Sequence, residues 1–198
     1  MHPAPAFELT EQEPLLTWLA AHPFMALAAT PQAGRLIVAH APVIVRRLQT
    51  GLALDFHLSR RNALAAHLSN GFRGVLLGLG PNAYISPDWY ESADQVPTWN
   101  YVSVEAEGAV AALDDAGLTA QLDALSALEE HRLAPKRPWT RAKMSPGVFA
   151  RMSRAVIGAR MSVERLEGTF KLSQNKADAD RIGVIAGLGD HPLADLMR

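Results

Sequence analysis

The spacing of apolar and polar positions changes near residue 114. Before it, apolar segments of strand length alternate with turn residues. Phe24-Met25-Ala26-Leu27-Ala28-Ala29-Thr30, a turn at Pro31–Gly34 and Leu36–His40 predict a hairpin. Val43–Val45 and Leu52–His57 continue the strand material, and the run Val75-Leu76-Leu77-Gly78-Leu79 reads as the most buried strand of the chain. Tyr101–Gly108 alternates, which predicts a strand with one wet face. Thr10-Glu11-Gln12-Glu13 forms a capping box and predicts a helix to about His22, where Pro23 stops it. Helix propensity rises again through Ala63–Leu68.

After Asp114 the period becomes helical. Leu118, Leu122, Leu125 and Leu128 share one face, so residues 116–131 are predicted to pack as a helix. Pro135, Pro138 and Pro146 mark loops, followed by a brief helix near 147–153, a strand over Val156–Leu166 and a helix over 177–188. Strands dominate the first half and helices border them, the signature of an antiparallel sheet or barrel decorated by helices. With no internal repeat and no low-complexity linker, the reading is one domain over residues 1–198. A helical, basic extension starts at about residue 131.

Composition narrows the class. At 198 residues with 48% hydrophobic and 20% charged side chains, the chain is long enough to bury about 70% of its extended surface without staples. Cysteine is absent, which removes disulfides, cysteine nucleophiles and thiolate metal sites. The net charge of −1 is unevenly distributed: residues 1–130 carry 14 acidic and 6 basic side chains, residues 131–198 carry 6 and 13. Overall the chain has no field for a polyanion or an anionic membrane, whereas Lys136, Arg137, Arg141 and Lys143 make DNA a conceivable partner of the second part. No apolar run reaches the ~20 residues of a membrane span, so a cytoplasmic protein is expected.

Dinucleotide and Walker loops are missing, because Gly74, Gly78 and Gly80 have the wrong spacing and do not open a helix. The seven histidines never pair closely, and no metal site is expected. Two constellations carry chemistry. At a strand-to-helix junction, His57-Leu58-Ser59-Arg60-Arg61-Asn62 offers a hydroxyl, two guanidinium groups and helix-start amides to an anion such as a phosphate. The competing reading makes Ser59 or Asn62 a helix cap with the arginines in solvent. In the second, all three tyrosines and two of four tryptophans fall between residues 84 and 101. These rings fit a flat conjugated ligand, with Ser86, Thr98 and Asn100 at its edge, and equally fit a core or an interface.

The stretches Met1-His2-Pro3 with Phe7, Ala21-His22-Pro23-Phe24, His40-Ala41-Pro42, His57–Asn62, Ala83–Tyr90, Val96-Pro97-Thr98-Trp99-Asn100-Tyr101 and Lys171-Leu172-Ser173-Gln174-Asn175 together resemble the FMN-binding negative transcriptional regulators of the PaiB type. That resemblance covers almost the whole chain, and P-T-W-N-Y and K-L-S-Q-N are its most distinctive parts. It implies a mainly β fold, a six-stranded antiparallel split barrel of the FMN-binding type decorated by helices. It further implies FMN as cofactor and a homodimer with the flavin near the subunit interface. By motif, the implied cofactor-binding residues are His57, Ser59, Arg60, Arg61, Asn62, Tyr84, Ser86, Trp99, Asn100, Lys171, Ser173 and Gln174. Alternatives are an FMN-dependent oxidoreductase acting on a small substrate and a heme-binding split-barrel protein. Two departures stand out: the acidic segment Glu91–Gln95 and the pair Arg60-Arg61 before Asn62.

Overall fold

A computed structural model describes residues 4–31 and 34–198. Met1-His2-Pro3 and Gln32-Ala33 of the hairpin turn lie outside the described residues, although the Gly34 amide donates to Pro31 O across that turn.

The strands are β1 (Glu8–Leu9), β2 (Phe24–Ala29), β3 (Ile37–Pro42), β4 (Ile44–Leu48), β5 (Gly51–Ser59), β6 (Phe72–Ile85), β7 (Thr98–Ala112) and β8 (Val156–Lys171). Helices are α1 (Gln12–Ala21), α2 (Asp115–Arg132), α3 (Val148–Ser153), α4 (Asp178–Leu188) and α5 (Pro192–Met197). The strands form one eight-stranded sheet in the order β3-β2-β6-β7-β8-β5-β4, with β1 paired to β8. β1–β8, β2–β3, β2–β6, β4–β5 and β5–β8 all pair antiparallel.

The mainly β, antiparallel architecture expected from the sequence is therefore found, with eight strands in place of six. One reason is local: Val43 separates β3, which pairs with β2, from β4, which pairs with β5, so one run of strand residues makes two strands.

The chain divides into two compact units. The larger comprises Leu16–Gly78 and Ala106–Arg165; the smaller comprises Met1–Leu15, Leu79–Glu105 and Leu166–Arg198. In the larger unit Leu27, Leu54, Phe56, Leu64, Leu76 and Met161 are fully buried. Trp18 of α1 lies against β6 because Gly78 has no side chain; a Cβ there would stand 2.7 Å from the indole ring. The buried Asp55 of β5 is held by Arg160, its cross-strand partner on β8, through Nε at 2.6 Å and Nη2 at 2.8 Å, and by Arg46 of β4 at 3.2 Å. This fork-shaped pairing ties three strands together and satisfies a carboxylate that burial would otherwise destabilise.

The run Val75–Leu79 is not buried throughout. Leu76 is inaccessible, whereas Leu77 and Leu79 reach solvent. On α2, whose bounds match the predicted helix, Leu118 and the polar Gln121 are buried, while Leu122, Leu125 and Leu128 are only half-buried. The capping box is displaced too, since α1 starts at Gln12.

The smaller unit has its own core of Ile85, Tyr90, Val184, Leu193 and Met197, flanked by Trp89, Leu172 and Leu188. Helix α4 reaches Trp89 through Gly183 and Gly187, one turn apart on one helix face. A Cβ on Gly183 would stand 2.0 Å from Trp89 O, and one on Gly187 would stand 2.4 Å from the indole.

Candidate functional site

In the larger unit, β5 ends at Ser59 and the chain turns through Arg60–Asn62 into a one-turn 3-10 helix over Ala63–His67. Asn62 caps it, its Oδ1 accepting from Leu64 N at 2.9 Å, and Ser59 Oγ accepts from Arg61 N at 3.2 Å. So short a helix has almost no dipole to offer an anion, which leaves the guanidinium groups to carry the charge. Arg60 is anchored by its backbone amide to Ala155 O at 2.9 Å and by Nε to Arg154 O at 3.0 Å. Its two terminal nitrogens, and the exposed guanidinium of Arg61, have no partner among the described residues.

His57 makes its side-chain hydrogen bond to α2. Its Nδ1 donates to Gln121 Oε1 on α2 at 3.1 Å, and burial pushes the imidazole pKa down, partly offset by that bond. Gln121 is fully buried, and its Nε2 is unpartnered among the described residues.

In the smaller unit, Tyr84 stands at the end of β6 and Trp99 at the start of β7. Their rings meet edge to face, with centroids 6.3 Å apart at 68°, and each is half exposed, at 50% and 51%. Trp99 Nε1 donates to Asn82 Oδ1 at 3.3 Å, so the indole edge is fixed while its face stays open. Ser86 accepts from Asp88 N and caps the next turn.

The K-L-S-Q-N motif closes the end of β8. Lys171 Nζ donates to Thr98 Oγ1 at 2.5 Å and to Trp99 O at 2.9 Å. Burial first, and the charge of Lys176 second, lower the Lys171 pKa. Ser173 is buried with φ of 60°, a left-handed conformation uncommon outside glycine, and its Oγ accepts from the buried Asn100 Nδ2 at 2.8 Å. Gln174 ties the turn internally, with Nε2 donating to Phe170 O and Ala6 O, and Oε1 accepting from Leu172 N. Within this unit the structure brings Trp99, Asn100, Lys171 and Ser173 together. It uses Asn100, Ser173 and Gln174 to build the turn and leaves Tyr84 and Trp99 open to a ligand.

Sequence reasoning missed Asp180. This buried carboxylate in the first turn of α4 accepts from Glu91 N and Ser92 N at 2.9 Å each and from Ser92 Oγ at 2.8 Å. Lys176 Nζ, lying over the Tyr90 ring, donates to Gln95 Oε1 at 2.6 Å. The acidic segment Glu91–Gln95 is thus fastened at both ends. The hydrogen bonds from Ser92, then Glu91, hold the Asp180 pKa below the ordinary carboxylate range. A depressed carboxylate stabilises the fold above its unfolded pKa near 4, and that contribution is lost as pH falls through the lower folded value. Asp180→Asn should therefore lower the urea midpoint at pH 7 and differ progressively less from the parent as pH falls below 4. An offset constant with pH would contradict the assignment.

Each cluster can be matched to part of a flavin mononucleotide on its own donor set. A phosphate monoester needs cationic donors with free hydrogens, which the Arg60 terminus and Arg61 provide. An isoalloxazine needs open aromatic surface, which Tyr84 and Trp99 provide.

Residues 1–165 match the family described as "Putative FMN-binding domain". The chain is 28% identical over 182 residues to protease synthase and sporulation protein PAI 2 of Bacillus subtilis, covering 92% of this chain and 86% of that one. Among solved structures, it is similar to the FAD and heme binding protein from Mycobacterium smegmatis, with a TM-score of 0.56, 17% identity, and 93% and 82% of the two chains covered. It is also similar to a flavocytochrome from Azotobacter vinelandii, with a TM-score of 0.55, 18% identity, and 83% and 69% covered. These likenesses place the sheet among the flavin-binding split-barrel folds.

Proposed function

The chain belongs to the FMN-binding domain family, and on that premise we propose that Arg60 and Arg61 of the larger unit take the FMN phosphate; in the smaller unit, Tyr84 and Trp99 offer the open aromatic surface that a flavin ring stacks on. The observation that carries this reading is the pair of exposed cations without carboxylate partners at the end of β5. Ser59 and Asn62 hold the turn that aims them, Lys171 and Ser173 hold the strand start that carries Trp99, and Ser86 fixes the turn after Tyr84. His57 acts at a distance, orienting β5 against α2 through Gln121.

Charge-assisted hydrogen bonds contribute about 1.5–3 kcal/mol each, so the Arg60→Ala/Arg61→Ala double variant should weaken FMN by at least tenfold in a fluorescence-quenching titration. Unchanged affinity in a folded variant would remove the phosphate assignment. Bound flavin would supply two-electron acceptance, and the protein would supply orientation and water exclusion. The oxidoreductase reading is checked by whether a reduced nicotinamide bleaches the flavin.

The exposed sheet face supports a homodimer. On β2, β3 and β6 of the larger unit, Phe24, Ala26, Ala28, Val38 and Leu77 point to the same side. Phe24, Val38 and Leu77 remain 66%, 53% and 41% exposed. His40, opposite Ala26 on this face, stacks on Phe24; an exposed, largely apolar sheet face of this kind marks an interface, and a two-fold axis lets one such face cover its copy. Nothing comparable favours direct DNA contact. Lys136 pairs with Glu130, Arg141 with Asp123 at 3.2 Å, and Lys143 Nζ donates to Pro138 O at 2.8 Å, so three of the four candidate cations are engaged within the chain.

A further inference from the structure

We propose that the larger unit carries a second small-molecule site along α2, separate from the flavin, for a mononucleotide-like compound: a flat ring bearing a phosphate. Two cavities meet at Arg141, which lines both.

The first, about 520 Å³, lies between α2 and the segment that follows it, with Trp139, Pro138 and Ala127 as apolar walls and His131 at the edge. The second, about 400 Å³, gathers Arg60, Arg141 and Arg154 around the first turn of α2 and the end of α3, with Asp115 as the one carboxylate of its lining. Both volumes fall in the range of about 300–1,000 Å³ typical of small-molecule sites. An apolar slot with an indole wall selects a planar ring, and three guanidinium groups against Asp115 and the Asp123 that pairs with Arg141 leave a net positive charge that selects an anion. The Arg154 guanidinium has no partner among the described residues.

The walls are fixed before any ligand arrives. Glu130 of α2 accepts from Trp139 N at 2.7 Å and pairs with Lys136. Asp123, about two turns nearer the start of α2 on the same face, holds Arg141 at 3.2 Å, and the Arg141 guanidinium lies 5.1 Å from the Phe149 ring centre. A segment pinned to α2 at these points loses little freedom on binding, which is the condition for a preorganised site.

Arg60 is itself assigned to the flavin phosphate, so with FMN bound the anion of the second site rests on Arg154 and Arg141, and the test uses FMN-saturated protein and variants outside the Arg60 turn. Adenosine 5′-monophosphate, adenosine and inorganic phosphate are titrated separately by calorimetry while the flavin spectrum is recorded. The monophosphate should bind at least tenfold more tightly than either of its halves, without releasing FMN. Trp139→Ala should weaken it at least tenfold and leave inorganic phosphate unchanged, and Arg154→Ala should weaken it and leave adenosine unchanged. Both variants should retain the parent's flavin spectrum. No saturable binding into the millimolar range, equal affinity in both variants, or release of FMN by the monophosphate would each overturn the second site.

Discussion

Replacing Gly183 by valine should destabilise the protein by about 3 kcal/mol, because overpacking a fixed contact typically costs 1–3 kcal/mol and here the opposing atom is backbone. The new Cβ alone would stand 2.0 Å from Trp89 O, so either α4 or the turn over Pro87–Trp89 must move. Helix propensity does little to offset this, since valine gains only a few tenths of a kcal/mol over glycine in a helix. Movement of α4 also drags Asp180 from the amides of Glu91 and Ser92, so the variant loses those bonds along with packing. Urea unfolding reads the loss, and Ile182→Ala, an exposed neighbour on the same helix, should change stability by less than about 0.5 kcal/mol. Equal midpoints for Gly183→Val and the parent would show that α4 does not depend on its close approach to Trp89.

Val38→Lys with Leu77→Lys should convert a dimer to a monomer at micromolar protein. Val38 lies opposite Ala28 and Leu77 opposite Ala26, so the two lysines enter neighbouring positions of the exposed face. Under two-fold symmetry each substitution is present twice, and like charges brought together across an interface cost several kcal/mol, enough to raise the dissociation constant at least a thousandfold. Sedimentation velocity across a concentration series distinguishes the outcomes. A monomeric parent, or a double variant that stays dimeric, would each overturn the assignment of this face. In a dimeric parent the melting temperature should also rise with protein concentration, and in the double variant it should not.

The same face shows where sequence reading ran out. An apolar run such as Val75–Leu79 has one composition whether both its sides are buried in the chain or one side waits for a second copy, and only the solvent exposure of Leu77 and Leu79 separates the cases. Glycine and proline punctuation misled at β6, which continues through Gly78, Gly80 and Pro81 because Gly78 makes room for Trp18. Helix α2 was legible from its leucine period, but the buried Gln121 was not, since its reason is His57, 64 residues away. Helix α5 did leave a signal: Pro192 at its start and His191, whose Nδ1 accepts from Leu193 N, form a start motif that hydrophobic period alone overlooks. The motif strings were legible in full, yet what Asn100 does for Ser173, or Asp180 for Ser92, depends on partners 73 and 88 residues distant.

The three-segment make-up of the smaller unit sets an order on synthesis. No contiguous stretch encodes it, and its last segment is Leu166–Arg198. While the chain emerges, the arginine turn at the end of β5 can fold as soon as β8 pairs with β5, because the elements holding it precede residue 166. The aromatic pair has to wait for Lys171 and Ser173, and the segment that follows Tyr90 for Asp180, so the ring-facing cluster matures only after residue 180 has been made. A fragment cut at residue 165, where the family match stops, would keep the cationic turn and lose the supports of Trp99. Such a fragment should retain attraction for phosphate groups without discriminating a flavin from any other phosphorylated compound.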